Sequence, residues 1–256
     1  MSAKAFPKRH RIPELDELSP GLIIFDKGGT LTDFHGLWSA WIRELACRVE
    51  SATGLPMAGR LFHAMGFDPG SGWIDPSGWL ATDTMADLRA LAVDLLGQAG
   101  LPRQVSDAAV ETAWFAPDPV GDVRPLADLP GLFTDLRDRG IKIAVATMDD
   151  RAPTEATFAA LGVELFVDAL ICGDDGLSPK PAADMVWAVC QATGVEPAHA
   201  VVVGDSVTDL EMGRAAGAGL VVGVLSGVAP EEMLAPHADV LLASVADLLT
   251  SPPGIR

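Results

Sequence analysis

The sequence predicts an α/β protein, with a Rossmann-like, doubly wound parallel sheet as core and an all-helical segment inserted after the first strand. Three observations carry this expectation. Apolar runs of strand length recur through the C-terminal half of the 256-residue chain, in alternation with helical patterns. Another such run, Leu22-Ile23-Ile24-Phe25, ends in Asp26 and a Gly-containing turn. Between that turn and the return of alternation near Leu126, the periodicity is helical with little strand character.

The elements follow in order. Residues 1–20, polar and proline-containing, read as a partly ordered arm. The core is expected over 21–35 and 125–256, and a helical cap over 36–124, with hinges near Phe34–Gly36 and Gly121–Pro125. Within the cap, "LWSAWIRELACRVESATG", "MADLRALAVDLLGQAG" and "VSDAAVETAWF" have helical spacing, and the Gly/Pro/Asp-rich "GFDPGSGWIDPSGWLATD" reads as a loop. In the second core segment "IKIAVAT" is a strand, "TEATFAALG" a helix stopped at Gly162, and "LFVDALICG" an extended piece. "ADMVWAVCQATG" is a helix with Gly194 as its stop signal. "AVVVGDS" is a strand entering a turn, "TDLEMGRAAGA" a helix, "GLVVGVL" a strand and "ADVLLAS" a last short one.

Composition excludes several functions. A net charge of −17 disfavours nucleic acid, whose phosphate backbone requires basic faces. No apolar run is long enough for a membrane span, and the N-terminus lacks the apolar stretch of a secretory signal, so a cytoplasmic protein is expected. Cys47, Cys172 and Cys190 match neither a zinc spacing nor a disulfide framework. Nothing in the sequence sets the oligomeric state.

Four pieces fall at predicted strand ends or helix starts, where an open parallel sheet gathers its chemistry. They are Asp26 in "FDKGGTLTD", Thr147 in "AVATMDD", Lys180 in "LSPKPAADMV", and Asp205 with Asp209 in "VVVGDSVTDLEMG". The set suits phosphoryl transfer. A carboxylate such as Asp26 can attack phosphorus and hold a covalent phosphoryl group. Thr147 can donate its hydroxyl to a phosphate oxygen, and Lys180 can neutralise charge. Asp205 offers a hard oxygen ligand for Mg²⁺. Asp209 can hold a metal-bound water or orient Lys180.

The ordered set, with a helical insertion after the first piece, resembles the haloacid dehalogenase superfamily, and most closely its phosphoglycolate phosphatase-like members. The resemblance implies a Mg²⁺-dependent phosphohydrolase of a small phosphorylated metabolite, working through an aspartyl phosphate. It also implies that Asp26, the Gly28 carbonyl and Asp205 hold Mg²⁺, with Asp209 beside them. Backbone amides of the 27–30 turn, including Gly29 and Thr30, would meet the phosphate.

One residue departs from the pattern. Position 28 is usually an Asp that protonates the leaving group and then activates water; here it is Gly28. The phosphonate-cleaving branch also lacks this Asp but needs a cap lysine, and this cap has none. Three readings stay open: a working phosphatase whose acid/base comes from His35, a cap residue or the substrate; a protein that binds phosphate and Mg²⁺ without efficient turnover; or an ordinary phosphatase substituted at this position.

Other candidates have competing roles. His35 is either a replacement acid/base or a hinge histidine that packs. Trp73 and Trp79, in the cap loop, are candidate substrate-pocket residues. Trp38, Trp41, Trp114 and Trp187 read as core. Lys27 either steers an anionic substrate or is solvent-exposed.

Overall fold

A computed structural model describes residues 18–249; the expected arm lies, up to residue 17, outside the described residues. Six strands form one parallel sheet in the order β3-β2-β1-β4-β5-β6. The strands are β1 (Leu22–Phe25), β2 (Lys142–Ala146), β3 (Ala169–Ile171), β4 (Ala200–Gly204), β5 (Leu220–Val224) and β6 (Val240–Leu242). This is the doubly wound order, in which the chain reverses direction across the sheet between β1 and β4. Those two strands pair in parallel, with Phe25 opposite Val203.

Both faces of the sheet are covered, which explains why its strands read as continuous apolar runs. Ile23, Phe25, Val145, Val201, Val203 and Val222 point to one face, packed with Phe133 and Phe158. Leu22, Ile24, Ala144, Ala200 and Val202 point to the other, packed with Met185, Val189 and Met212. The first layer is supplied by α6 (Leu129–Asp138) and α7 (Arg151–Leu161), the second by α8 (Asp184–Thr193) and α9 (Val207–Ala216). A single turn, α10 (Glu231–Leu234), precedes β6.

Between β1 and α6 the described chain is helical: α1 (Phe34–Thr53), α2 (Ala58–Met65), α3 (Trp79–Thr82), α4 (Met85–Gln98) and α5 (Arg103–Ala113). This block has its own buried cluster, including Trp41, Ile42, Leu45, Leu61, Leu88, Leu96 and Val110. The Asp33 side chain accepts from the Gly36 amide at the start of α1, and Gly54 ends the helix in the left-handed region with φ 70°. Thr84 and Asp87 form a reciprocal capping box on α4. Where the chain leaves the block, the Asp33 amide donates to the Arg124 carbonyl and Thr32 bridges Pro125, so both connections run side by side.

Three features differ from the sequence expectations. The cap loop contains the short helix α3, whose four residues are too few to show a period. Helices α2 and α6 have no counterpart in the sequence reading; each spans only two or three turns. Trp187, expected in the core, is 53% exposed on the outer face of α8, although its indole N–H reaches the Ala216 carbonyl at 3.4 Å. Trp38 and Trp41 are buried as expected, and Trp114 packs partly buried against the block's core.

Candidate functional site

The site is built at the carboxyl ends of β1 and β4, where the strand order reverses. Asp26 follows β1 directly, and its amide donates to the Val203 carbonyl of β4 at 2.9 Å. Asp205 and Ser206 follow β4, and Ser206 caps α9. Thr147 follows β2, with its amide on the Ile171 carbonyl at 3.0 Å. Lys180 arrives from the segment between β3 and α8.

Lys180 ties these pieces together. Its Nζ lies 2.5 Å from Asp26 Oδ1 and 2.6 Å from Asp209 Oδ1. The other Asp209 oxygen accepts from the Ser206 amide at 3.0 Å and the Ser206 hydroxyl at 2.6 Å. Asp209 therefore both anchors Lys180 and closes the capping box of α9. Burial opposes the charge on Lys180, but Asp209 and Asp26 outweigh it and hold the ammonium well above its ordinary pKa. For Asp26 the balance runs the other way. Burial pushes its carboxyl up to about 7, against Lys180, which lowers it, and with Asp209, which adds repulsion. Burial, then Asp26 and Asp209, also raise Asp205 well above the carboxylate range.

Asp205 is held by a close-fitting loop. Its Oδ1 accepts from the Thr30 hydroxyl at 3.0 Å and its Oδ2 from the Val228 amide at 2.9 Å. Gly29, at φ 81°, and Gly227 flank the carboxylate. A Cβ on Gly227 would lie 1.8 Å from Asp205 Oδ2, so any other residue there would force the carboxylate to shift. Thr30 is fully buried and spends its hydroxyl on Asp205. Ser226 fastens the same loop through its hydroxyl, which donates to the Gly29 carbonyl at 2.8 Å.

Candidate ligand oxygens of Asp26, Asp205 and Asp209 lie within 4.8 Å of one another. Among the described residues the Gly28 carbonyl accepts no hydrogen bond. Three carboxylates and a free carbonyl are the hard-oxygen donor set that Mg²⁺ takes.

These groups line a cavity of about 60 Å³ between the sheet and the helical block, with room for a few waters. Its floor is Asp26, Gly28, Thr147, Lys180, Asp205 and Asp209. Its opposite wall is Phe34, Trp38 and the stretch Leu80–Asp83. Gly28, unlike Gly29, lies outside the left-handed region, so its backbone admits a side chain. The Phe34 ring stands in front of it: a Cβ there would lie 3.1 Å from Phe34 Cδ2.

The sequence candidates thus divide. Asp26, Gly28, Thr147, Lys180, Asp205 and Asp209 share the cavity. Trp73 and Trp79 are 53% and 43% exposed and do not line it. His35 lies beside the cavity, with Nε2 3.2 Å from the Gly227 carbonyl. Lys27 is buried, 2.6 Å from Asp149 Oδ2, which corrects the alternative of a solvent-exposed lysine. Sequence reasoning missed Phe34, Thr82, Asp83, Ser206 and the 226–228 loop. Of these only the loop carried a signal, the Ser-Gly pair after β5.

The family model for haloacid dehalogenase-like hydrolases matches residues 20–217. A stretch of 115 residues is 33% identical to pyrophosphatase PpaX of Bacillus pumilus, covering 44% of this chain and 53% of that one. Another of 110 residues is 33% identical to the phosphoglycolate phosphatase of Rhodospirillum rubrum, covering 43% and 46%. The match spans about half the length of these curated relatives. In fold, the chain is similar to a predicted phosphoglycolate phosphatase from Haemophilus somnus, with a TM-score of 0.65, 22% identity and coverage of 90% of this chain and 97% of that one. It is also similar to CbbY from Rhodobacter sphaeroides in complex with phosphate, with a TM-score of 0.56, 22% identity and coverage of 90% and 96%. The family model spans well over half of the chain, both motif-bearing strand ends included, and the chain belongs to the haloacid dehalogenase-like hydrolases.

Proposed function

We propose that this protein is a Mg²⁺-dependent phosphatase of a small phosphorylated metabolite, acting through a phosphoryl group carried on Asp26. The observation that carries this reading is the ion-paired chain Asp26–Lys180–Asp209, buried at Lys180 and Asp209, beside the buried Asp205. The relatives named phosphoglycolate phosphatase and pyrophosphatase support the reaction class, since both act on phosphoryl groups. The phosphate in the CbbY complex supports a phosphate site in this fold.

Asp26 would attack phosphorus in line. Lys180 holds its attacking carboxylate in place and offsets charge on the phosphoryl oxygens, while the Thr147 hydroxyl and the amides of the 27–30 turn bind those oxygens. Asp26, the Gly28 carbonyl and Asp205 would hold Mg²⁺, with Asp209 steadying Lys180 or a coordinated water. The ion would add positive charge where the transferred group is most negative. The helical block over 36–124 would serve as a lid, closing on hinges at 34–36 and 121–125 and excluding water from the cavity.

Gly28 favours a second reading, a protein that binds phosphate and Mg²⁺ with little turnover, because the usual acid/base is missing. A phosphate-release screen over a metabolite panel with Mg²⁺ separates the two, with Asp26→Asn as control. Release that Asp26→Asn abolishes supports the phosphatase. Binding of Mg²⁺ without release of phosphate from any member supports the second reading.

A further inference from the structure

Five carboxylates line the cavity: Asp26, Asp83, Asp149, Asp205 and Asp209. Four are committed. Asp26 and Asp209 share Lys180. Asp149 is paired with Lys27 at 2.6 Å. Asp205 accepts from Thr30 and from the Val228 amide. Asp83 is different. Its one side-chain partner is the neighbouring Thr82 hydroxyl, 2.7 Å from Oδ2. Among the described residues it meets no cation, and it sits half-buried on the wall of the helical block that faces the nucleophile.

The other side chains near the cavity are less suited to replace the missing acid/base. Position 28 itself carries no side chain, and one added there would require the Phe34 ring to give by a few tenths of an ångström. His35 is bonded to the Gly227 carbonyl and does not line the cavity. The Ser206 and Thr208 hydroxyls are 2.9 Å apart, bonded to each other, and a neutral hydroxyl is a poor base near neutral pH. A carboxylate without a cationic partner, lining the same cavity as the phosphoryl carrier on the side of the helical block, is the kind of group that general-base catalysis needs.

We propose that Asp83, carried by the helical block, is the general base that activates water against the phosphoryl group on Asp26. The inference rests on the phosphatase reading above. In the step, the water oxygen forms a bond to phosphorus as the bond from phosphorus to Asp26 Oδ breaks. The electron pair returns to Asp26 as its carboxylate, the water proton passes to Asp83, and inorganic phosphate leaves. The base function absent at Gly28 is thereby supplied from the opposite wall. It is present only when the helical block lies over the sheet, so hydrolysis is coupled to the position of the block. Thr82 steers the carboxylate by donating to one oxygen and leaving the other free.

The test uses the full-length protein with Mg²⁺ and two probes, p-nitrophenyl phosphate and acetyl phosphate. Turnover and the fraction of phosphorylated protein are measured together, the latter by intact mass after acid quench. Asp83→Asn should lower kcat by about 10²-fold, at the low end of general acid–base effects, while the phosphorylated fraction rises. Asp83→Glu should keep more activity than Asp83→Asn, and formate should restore part of the activity of Asp83→Ala. Asp83 lies half-buried at a helix end, and urea denaturation of each variant checks that the fold is kept. Wild-type kcat in both Asp83→Asn and Asp83→Ala would overturn the assignment. So would a loss of kcat with no rise in phosphoenzyme and no formate rescue, which would mark Asp83 as structural. If wild-type protein neither turns over nor becomes phosphorylated by either probe, the phosphatase reading itself fails, a result distinct from the other two.

Discussion

The ring of Phe34 stands against Gly28, so that a Cβ added to Gly28 would lie 3.1 Å from Phe34 Cδ2. The two residues sit at the start of the site and the start of α1, and the ring packs on to Trp38 with centroids 5.8 Å apart. An acid at position 28 is therefore opposed by an aromatic neighbour and not by the backbone. Gly28→Asp alone should raise hydrolysis of p-nitrophenyl phosphate by about tenfold or less. Gly28→Asp with Phe34→Leu should reach about 10²-fold, within the range of general acid–base catalysis. The pair should be non-additive, because the residues touch. Equal rates in the single and double variants would show that Phe34 does not restrain the position.

Lys180 lies between the buried Asp209 carboxylate and the largely buried one of Asp26. Lys180→Met should destabilise the Mg²⁺-free protein by about 3–5 kcal/mol, the usual cost of stranding buried charge, and lower kcat by about 10²-fold or more. Protonation relieves stranded carboxylates, so urea denaturation should show a smaller loss at about pH 5 than at about pH 8. A loss independent of pH would contradict the charge-based account.

The raised pKa of Asp26 predicts a pH-dependent response to metal. Burial first, and then Asp209, hold that carboxyl near 7 in the folded protein, against about 3.9 in an unfolded chain. Between those values the folded state binds more protons. Stability of the Mg²⁺-free protein should therefore fall as pH rises from about 4 to about 7. At the proposed metal site Mg²⁺ would replace the proton as the neutralising charge. The rise in Tm on adding Mg²⁺ should be larger at about pH 8 than at about pH 5, as differential scanning fluorimetry would show. A larger rise at the lower pH would contradict the assignment of the ion to Asp26.

Two glycines should respond in opposite senses. Gly227→Ala drives a methyl group into Asp205 Oδ2 and should weaken Mg²⁺ binding by at least about tenfold, equivalent to ~1.4 kcal/mol. Gly97 lies inside α4, where an added Cβ meets nothing within 4 Å. Gly97→Ala should raise stability by about 0.4–1 kcal/mol by lowering unfolded-state entropy, with Mg²⁺ affinity unchanged. Calorimetry and urea denaturation on both variants check the pair.

The legible parts of this fold are the strands buried on both faces, because burial writes itself as unbroken apolar runs such as Leu22–Phe25 and Ala200–Gly204. Gly162 and Gly194 are legible for a local reason, since each ends its helix in the left-handed region. Asp26, Thr147, Lys180, Asp205 and Asp209 could be gathered in advance because a parallel sheet brings its strand ends together. The block's contribution was not legible. Asp83 belongs to no motif, and only the packing of α3 over the sheet brings it to the cavity. Lys27 faces Asp149 through a contact that spacing does not encode. Trp187 misleads because helical periodicity marks a face without saying whether anything covers it.

The central claim is that Asp26 carries the phosphoryl group. The protein is incubated with Mg²⁺ and acetyl phosphate, quenched in acid, and its phosphorylated peptide sequenced by mass spectrometry, alongside Asp26→Asn. The account predicts an acid-stable, base-labile phosphoryl group on Asp26 of the wild-type chain and none on Asp26→Asn. Equal labelling of both proteins, or undiminished phosphate release by Asp26→Asn, would contradict it.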